Sequence, residues 1–394
     1  MKLRILIGLL FMLVFLSGCW DKRELSDITV VMGIAIDKSD DGKFTLSVEG
    51  LNAQELNRKT AYGYAPSIVF TLEGNTAAEL TQKMNIGISR NLIYSHMRTL
   101  VISEEVAKEG ISSFLDFMER NREIRDDFNI LISRDVKAVD VLKTTYQFQK
   151  SSSLKLHTQL QSMVENWGGD PDVRLNDVIM SWTSPGKQPV MAALTIKGDP
   201  EKGGNVNNMN DVTPKALVVL DSLAIFKKDR LKGFLPLSSA RNYLIIVDKL
   251  KKTVVSVPCG KNKYFGIRIY NSKTRTSAKL IKGIPVINLK IRTEAYLDGM
   301  QCEDDLTSLD TYDKFEKISE QQLKQNLEST INKMQNKYKL DIFGFGEALY
   351  RQDYQNFKKV KNKWDQVFQH AIVQVDIKVQ LRRSGIRTKS LISK

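Results

Sequence analysis

From residue 287 the chain alternates: Ile287, Leu289, Ile291, Thr293, Ala295 and Leu297 interleave with Asn288, Lys290, Arg292, Glu294 and Tyr296. Val373 to Leu381 repeats the rhythm, with Gln374, Asp376, Lys378 and Gln380 between the apolar positions. A period of two predicts strands with one wet face, and such strands favour antiparallel pairing. Between the two runs, Leu323, Leu327, Ile331, Met334 and Tyr338 recur at spacings of four, four, three and four. That is one stripe of a long amphipathic helix, and Ser319 with Gln322 places a capping box near its start. Laid on the inner face of a curved antiparallel sheet, this helix buries both apolar surfaces.

The N-terminal half carries shorter elements. Ile28 to Asp37 and Phe44 to Leu51 are apolar or β-branched runs joined by "KSDDGK", a hairpin signal. Thr76 to Ile88 reads as a helix and Arg98 to Ile102 as a strand. A helix through "SEEVAKEG" is stopped by Gly110, and another carries "ISSFLDFMERNREIR", with Phe114, Phe117 and Met118 on one face. The mixture predicts an α+β fold of mixed or antiparallel sheets packed by helices. Residues 198–214, "GDPEKGGNVNNMNDVTP", are rich in turn formers and predict a linker between a region at 19–197 and a C-terminal α+β domain at 215–394. Lesser breaks lie at 167–172 and 52–67. No internal repeat or low-complexity tract is visible.

The first residues follow a different logic. Lys2 and Arg4 precede a continuous apolar run, Ile5 to Leu16, which is the length of a signal-peptide core and short for a bilayer span of about 20 residues. Leu16-Ser17-Gly18-Cys19 resembles the bacterial lipobox, in which two small residues precede the cysteine that is acylated on sulfur and becomes residue one. Cys19 is therefore expected to carry a covalent diacylglyceryl lipid after removal of residues 1–18. Two acyl chains hold a protein stably on a bilayer where one holds it marginally. Trp20 has two open readings: its indole sits at the headgroup interface, or it packs against Leu25 and the first strand.

Composition changes this picture little. With 394 residues, 42% hydrophobic and 26% charged, the chain is that of a folded protein with room for roughly two or three domains. The formal charge of +14 raises the question of anionic partners, and export makes nucleic acid a poor one. Cys19, Cys259 and Cys302 are too few for a disulfide framework, and whether the last two are bonded stays open. His96, His157 and His370 are scattered, so no metal ligand set is visible. His96 reads as a hydrogen-bonded structural histidine. Gly344-Phe345-Gly346 lacks the third glycine of a dinucleotide fingerprint, and "GKNKYFG" lacks the first of a phosphate loop. The adjacent carboxylates Asp126 and Asp127, and Asp304 and Asp305, read as solvated rather than catalytic. No enzyme and no cofactor is expected.

Charge is nevertheless segregated. Lys249 to Thr293 holds twelve Lys or Arg and no acid, while Glu294 to Glu320 holds nine acids against Lys314 and Lys317. The two blocks either neutralise each other across adjacent strands or present a basic strip, with Lys261, Lys263 and Lys273, to an anionic bilayer.

"CWDKREL" at Cys19 to Leu25, with Trp20, Asp21, Glu24 and Leu25, followed by "VVMGIAID", resembles the opening of the Ger(x)C family, the lipoprotein C subunits of bacterial spore germinant receptors. "SRNLIYSH", "EEVAKEGI", "RNREIR", "LAIFKKDRLKGFL", "DIFGFGEALYR" and "KWDQVFQHAIVQVDIKVQLRRSG" extend the resemblance over nearly the whole mature chain. The resemblance implies an elongated α+β architecture of three domains, with a smaller subdomain from about 51–70 and 143–197. It also implies a non-enzymatic subunit on the outer face of the inner spore membrane, assembled with two integral-membrane receptor subunits. The alternative is a lipoprotein solute-binding protein of a transporter, which pairs two lobes of parallel, all-apolar strands; the alternating strands argue against it. A cell-envelope hydrolase, the third class, lacks a visible acid/base constellation.

Overall fold

Ile28 to Asp37 is apolar at nearly every position rather than every second one, and the computed structural model shows why: its strand is covered on both faces. The structure describes residues 27–56, 59 and 61–382. The signal segment, Cys19, Trp20, Asp21, Glu24 and Leu25 lie outside the described residues.

Among the described residues, one sheet contains β1 (Ile28–Lys38), β2 (Phe44–Leu51), β3 (Ser67–Gly74), β4 (Asn91–Ile93), β5 (Thr99–Ser103), β6 (Asn129–Ser133), β7 (Val190–Gly198), β8 (Ala216–Lys227) and β9 (Arg230–Pro236). The order is β3-β2-β1-β5-β6-β7-β8-β9, with β4 beside β1. β1 and β2 form the expected antiparallel hairpin. The centre, β1-β5-β6-β7, is parallel. Helices α1 (Ala77–Lys83), α2 (Glu104–Glu109) and α3 (Ser112–Arg120) cover one face, while α4 (Ala138–Lys143) and α5 (Ser152–Asn166) cover the other. Ile34, Leu100 and Ile130 point to the first layer, and Ala35, Val101 and Leu131 to the second. Parallel strands of this kind need both faces buried. The argument from alternation against parallel strands therefore fails for this half; β5 and β6 are five-residue runs with no period to read.

Local stop signals worked unevenly. Gly110, at φ 138°, ends α2 as expected. The helix expected through Arg125 stops at Arg120, because the Asn121 side chain accepts the Glu123 amide at 2.9 Å and turns the chain.

The stretch 198–214, expected as a linker, connects two paired strands of one sheet. Gly198 pairs with Ala216, so β7 and β8 are antiparallel neighbours in one sheet and 198–214 is the connection between them. Two short helical turns, Pro200–Gly203 and Val206–Asn210, fill it. Buried Asn208 holds the base shut, accepting the Ala216 amide and donating to the carbonyls of Thr145 and Ala216. Asparagines read as turn formers are here a structural clasp. Of the segments expected to form a smaller subdomain, 51–70 and 143–197, the first leads into β3, an edge strand of the same sheet, and the second contributes α5 to its second helical layer.

After α6 (Leu175–Thr183) and α7 (Leu237–Ile246), a second sheet forms from β10 (Thr253–Gly260), β11 (Lys263–Ile281), β12 (Ile284–Met300) and β13 (Ile372–Arg382), in that order. The first three are antiparallel, but β13 runs parallel to β12. The expectation of a purely antiparallel sheet is corrected here. The chain between Met300 and Ile372 contains α8 (Leu309–Lys333), α9 (Phe345–Gln352) and α10 (Tyr354–Val360), long enough for the crossover that a parallel pair requires.

α8 carries the expected stripe, with Leu323, Leu327 and Ile331 buried and Met334 buried just past its end. It starts ten residues before Ser319, capped by Ser308, whose Oγ accepts the Asp310 amide at 3.2 Å. Ser319 is thus a buried mid-helix residue and not a cap; Thr311, Phe315 and Ser319 continue the same stripe backward. Phe315 stacks on Phe265 of β11, ring centroids 4.2 Å apart. The helix also closes the sheet's open edge. Glu316 accepts the Leu381 amide at 2.7 Å and Glu320 the Val379 amide at 3.1 Å, which satisfies two donors near the end of edge strand β13.

Candidate interaction sites

Cys19, the one residue expected to carry chemistry, lies outside the described residues. The first of these, Asp27, is eight positions after it, and β1 begins at the next residue. Among the described residues no helix is long and apolar enough to cross a membrane. No group of three or more His, Cys, Asp or Glu among them could hold a metal.

The paired carboxylates are occupied in local structure. Asp127 faces Arg98 at 3.7 Å and Arg125 at 3.4 Å, and Asp126 accepts from Asn176. Asp304 pairs with Lys314 at 2.6 Å, and Asp305 accepts the Thr307 amide at 2.9 Å in the turn before α8. His96 is exposed, and its ring makes no hydrogen bond among the described residues, contrary to expectation. The hydrogen-bonded histidine is His157 on α5, whose Nδ1 lies 2.9 Å from Asn129 Oδ1; burial pushes its pKa down. Cys259 and Cys302 form a disulfide, Cα atoms 6.4 Å apart, at the end of the β10–β11–β12 ribbon.

Buried carboxylates that sequence reading passed over organise the chain instead. Asp37 accepts the amides of Ala138 and Val139 at the start of α4, at 2.7 and 2.9 Å. Glu49 accepts those of Ser152 and Ser153 at the start of α5, at 2.9 and 3.0 Å. Each anion meets the positive end of a helix across more than a hundred residues of sequence. Asp341 opens "DIFGFGEALYR" and accepts the amides of Phe343, Gly344 and Gly346 at 2.8 to 2.9 Å. Burial raises it to about 6. Gly344-Phe345-Gly346 is therefore the turn leading into α9, not a nucleotide loop. Gly186, in the chain leading to β7, presses against Gly346 so closely that a Cβ on either would lie 2.6 Å from the other's Cα. This contact joins the segment before β7 to the first turn of α9.

A narrow cleft runs along that junction, in two parts of about 250 and 320 Å³ that share Lys187, Tyr243, Lys249 and Glu347. Its charges largely face one another: Lys249 lies 3.5 Å from Asp177, and Arg351 lies 3.4 Å from Glu347.

Of the two readings of the charge blocks, mutual neutralisation holds in part: Lys263 pairs with Glu303 and Arg268 with Asp298, while Arg292 and Glu294 pair instead with Asp376 and Arg382 of β13. Lys273 lies 3.7 Å from Asp248. Two of the three lysines expected to form a basic strip are thus already partnered. Toward the β11–β12 turn the pattern weakens: Lys290 lies opposite Arg275 on β11 and Asp376 on β13, and among the described residues neither Arg275 nor Lys290 forms an ion pair.

Two protein families match the chain in succession. Residues 21–196 match "Spore germination protein N-terminal domain", and residues 221–385 match "Spore germination B3/ GerAC like, C-terminal". The gap between them is the connection from β7 into β8, so the family boundary falls inside one sheet. The chain is 27% identical to spore germination protein KC of Bacillus subtilis, over 99% of this chain and 98% of that one. It is 23% identical to spore germination protein B3 of the same organism, over 95% and 96%. The crystal structure of the GerBC protein superposes with a TM-score of 0.59 at 18% identity, covering 89% of this chain and 97% of that one, and so shares its fold. The fold, the two family matches and the full-length relatives together show that this chain belongs to the Ger(x)C family of spore germination proteins.

Proposed function

We propose that this protein is the lipid-anchored C subunit of a spore nutrient germinant receptor, held on the outer face of the inner spore membrane through Cys19. It acts without catalysis, by assembly with two integral-membrane subunits. The observation that carries this reading is the alignment of the whole mature chain with spore germination proteins, from the residues just after the lipobox to the last strand. The site chemistry supports it: the conspicuous buried carboxylates cap helices and turns, and the paired surface carboxylates bind neighbouring cations. An affinity-tagged chain extracted from spore membranes is expected to bring down two multi-spanning proteins, and its deletion to abolish the response to one class of nutrient. Recovery of the chain alone, with germination unaltered, overturns the reading. The solute-binding alternative is separated by calorimetric titration with amino acids and sugars, where stoichiometric binding by the isolated protein favours it.

A further inference from the structure

The β11–β12 ribbon turns through Lys282 and Gly283, at φ 49° and 82°, a two-residue turn of the kind that closes a tight hairpin. Ile281 and Ile284 pair across its apex and are 52% and 42% exposed. Ile372, which begins β13 opposite Val286 at the same end of the sheet, is 49% exposed. Three β-branched aliphatic side chains are therefore exposed at one end of the sheet.

Cations surround them. Arg275, Lys279, Lys282 and Lys290 are exposed and make no ion pair among the described residues, although Lys290 has Asp376 of β13 as well as Arg275 of β11 as a cross-strand neighbour. A second basic segment lies alongside. Asp353 accepts the Leu280 amide at 3.2 Å and Gln352 the Ala278 amide at 2.8 Å, which fixes the start of α10 against the hairpin. Just beyond, Lys358 lies over the ring of half-exposed Tyr354 at 4.5 Å, and Lys359, Lys361 and Lys363 are exposed without an ion pair among the described residues. The carboxylates at this end are committed elsewhere: Asp353 to the Leu280 amide and Asn356, Asp365 to Lys227, and Asp376 to Arg292.

We infer that this end of the second sheet docks on an anionic lipid bilayer, with Ile281 and Ile284 at headgroup depth and the lysines around them as a cationic collar. The shape selects a bilayer over an acidic protein segment. The apolar residues flank a hairpin turn and the start of the next strand, and the cations are spread over separate segments around them. Lysine stems can lie along apolar surface while their ammonium groups reach phosphate, and tyrosine favours the same interfacial layer. Each cation close to an anionic surface multiplies partitioning roughly fivefold. The inference rests on the proposed anchor only for its setting: a tether of eight residues, at most about 28 Å long, keeps the protein near the bilayer.

The test uses the unlipidated mature chain, Cys19→Ala without residues 1–18, sedimented with vesicles of phosphatidylcholine alone or with a third phosphatidylglycerol. Salt-sensitive binding to the anionic vesicles only is expected. Lys279→Glu with Lys282→Glu should reduce it at least tenfold, and Ile281→Ser with Ile284→Ser severalfold, with circular dichroism unchanged. Lys261→Glu, in the turn at the opposite end of β11, should leave it intact. No binding to anionic vesicles, or an equal loss from Lys261→Glu, overturns the surface; the second result leaves net charge alone as the cause. Because this chain carries no lipid, either failure leaves the acylation of Cys19 untouched.

Discussion

The indole N–H of Trp364 donates to Asp341 Oδ2 at 3.1 Å, and that carboxylate also takes the amides of Phe343, Gly344 and Gly346. Four donors converge on one buried anion, so the turn into α9 and the helix bearing Trp364 are fixed as a unit.

Removing the anion strands all four donors. Asp341→Ala should destabilise the protein by roughly 3–5 kcal/mol, because each buried donor left unpaired carries its own desolvation cost. Trp364→Phe removes one donor and leaves the other three in place, and should cost only about 1 kcal/mol of hydrogen bonding. Urea unfolding of both variants measures the ratio; equal losses would show that Asp341 does not organise the turn.

The contact between Gly186 and Gly346 predicts a second contrast. Gly186→Ala places a Cβ 2.6 Å from Gly346 Cα at φ 73°, while Gly42→Ala, at φ 77°, meets nothing within 4 Å. Both pay for a positive φ, about 1 kcal/mol, but the first adds a backbone clash and should cost at least about 2 kcal/mol more. Chemical denaturation that finds the two alike would remove the close approach as the reason for glycine at 186.

Burial lifts Asp170 to about 7 from an ordinary 3.8, and its Oδ2 has no partner. The folded state therefore binds a proton that the unfolded chain releases near pH 4. That proton's stabilising contribution is complete below the unfolded pKa and is lost as pH rises through about 7, with a slope of up to about 1.4 kcal/mol per pH unit. Asp170→Asn should flatten this slope between about pH 4 and 7 and exceed the parent in stability at pH 8. Urea midpoints across that range, parallel for variant and parent, would assign the titration to another group.

The Cys259–Cys302 bridge closes a 43-residue separation around β11 and β12. Loop entropy gives it roughly 4 kcal/mol. Reductant should lower the unfolding midpoint of the parent to that of the Cys259→Ser, Cys302→Ser double variant and leave the variant unmoved. A parent insensitive to reductant would show that the bond is not formed in solution.

What the sequence disclosed followed from periodicity and punctuation. Ile287 to Leu297 showed its strand because one face is wet, and Gly110 showed a helix end because its φ of 138° suits glycine. β5 and β6 were harder to read because both of their faces are buried, so no alternation survives. The direction of β13 was invisible because alternation reports a wet face and not strand polarity. Asn208 misled because the same residue that favours turns can serve, once buried, as a three-way clasp. At the candidate surfaces, the charge blocks of residues 249–320 were plain, but which cations keep a partner depended on register: Lys263 finds Glu303, whereas Arg275 meets Lys290. The carboxylates that bind the fold, Asp37, Glu49 and Asp341, gave no local signal, since two of them act on amides about a hundred residues away and the third on a turn that resembles a weak GxG motif.

The central claim is the anchor at Cys19, and palmitate labelling of sporulating cells tests it most directly. The parent should take up label and stay in the membrane fraction after a high-salt wash, which strips electrostatic contact. Cys19→Ala should be unlabelled and released by that wash. A Cys19→Ala chain that remains labelled and membrane-bound after the wash would contradict the account.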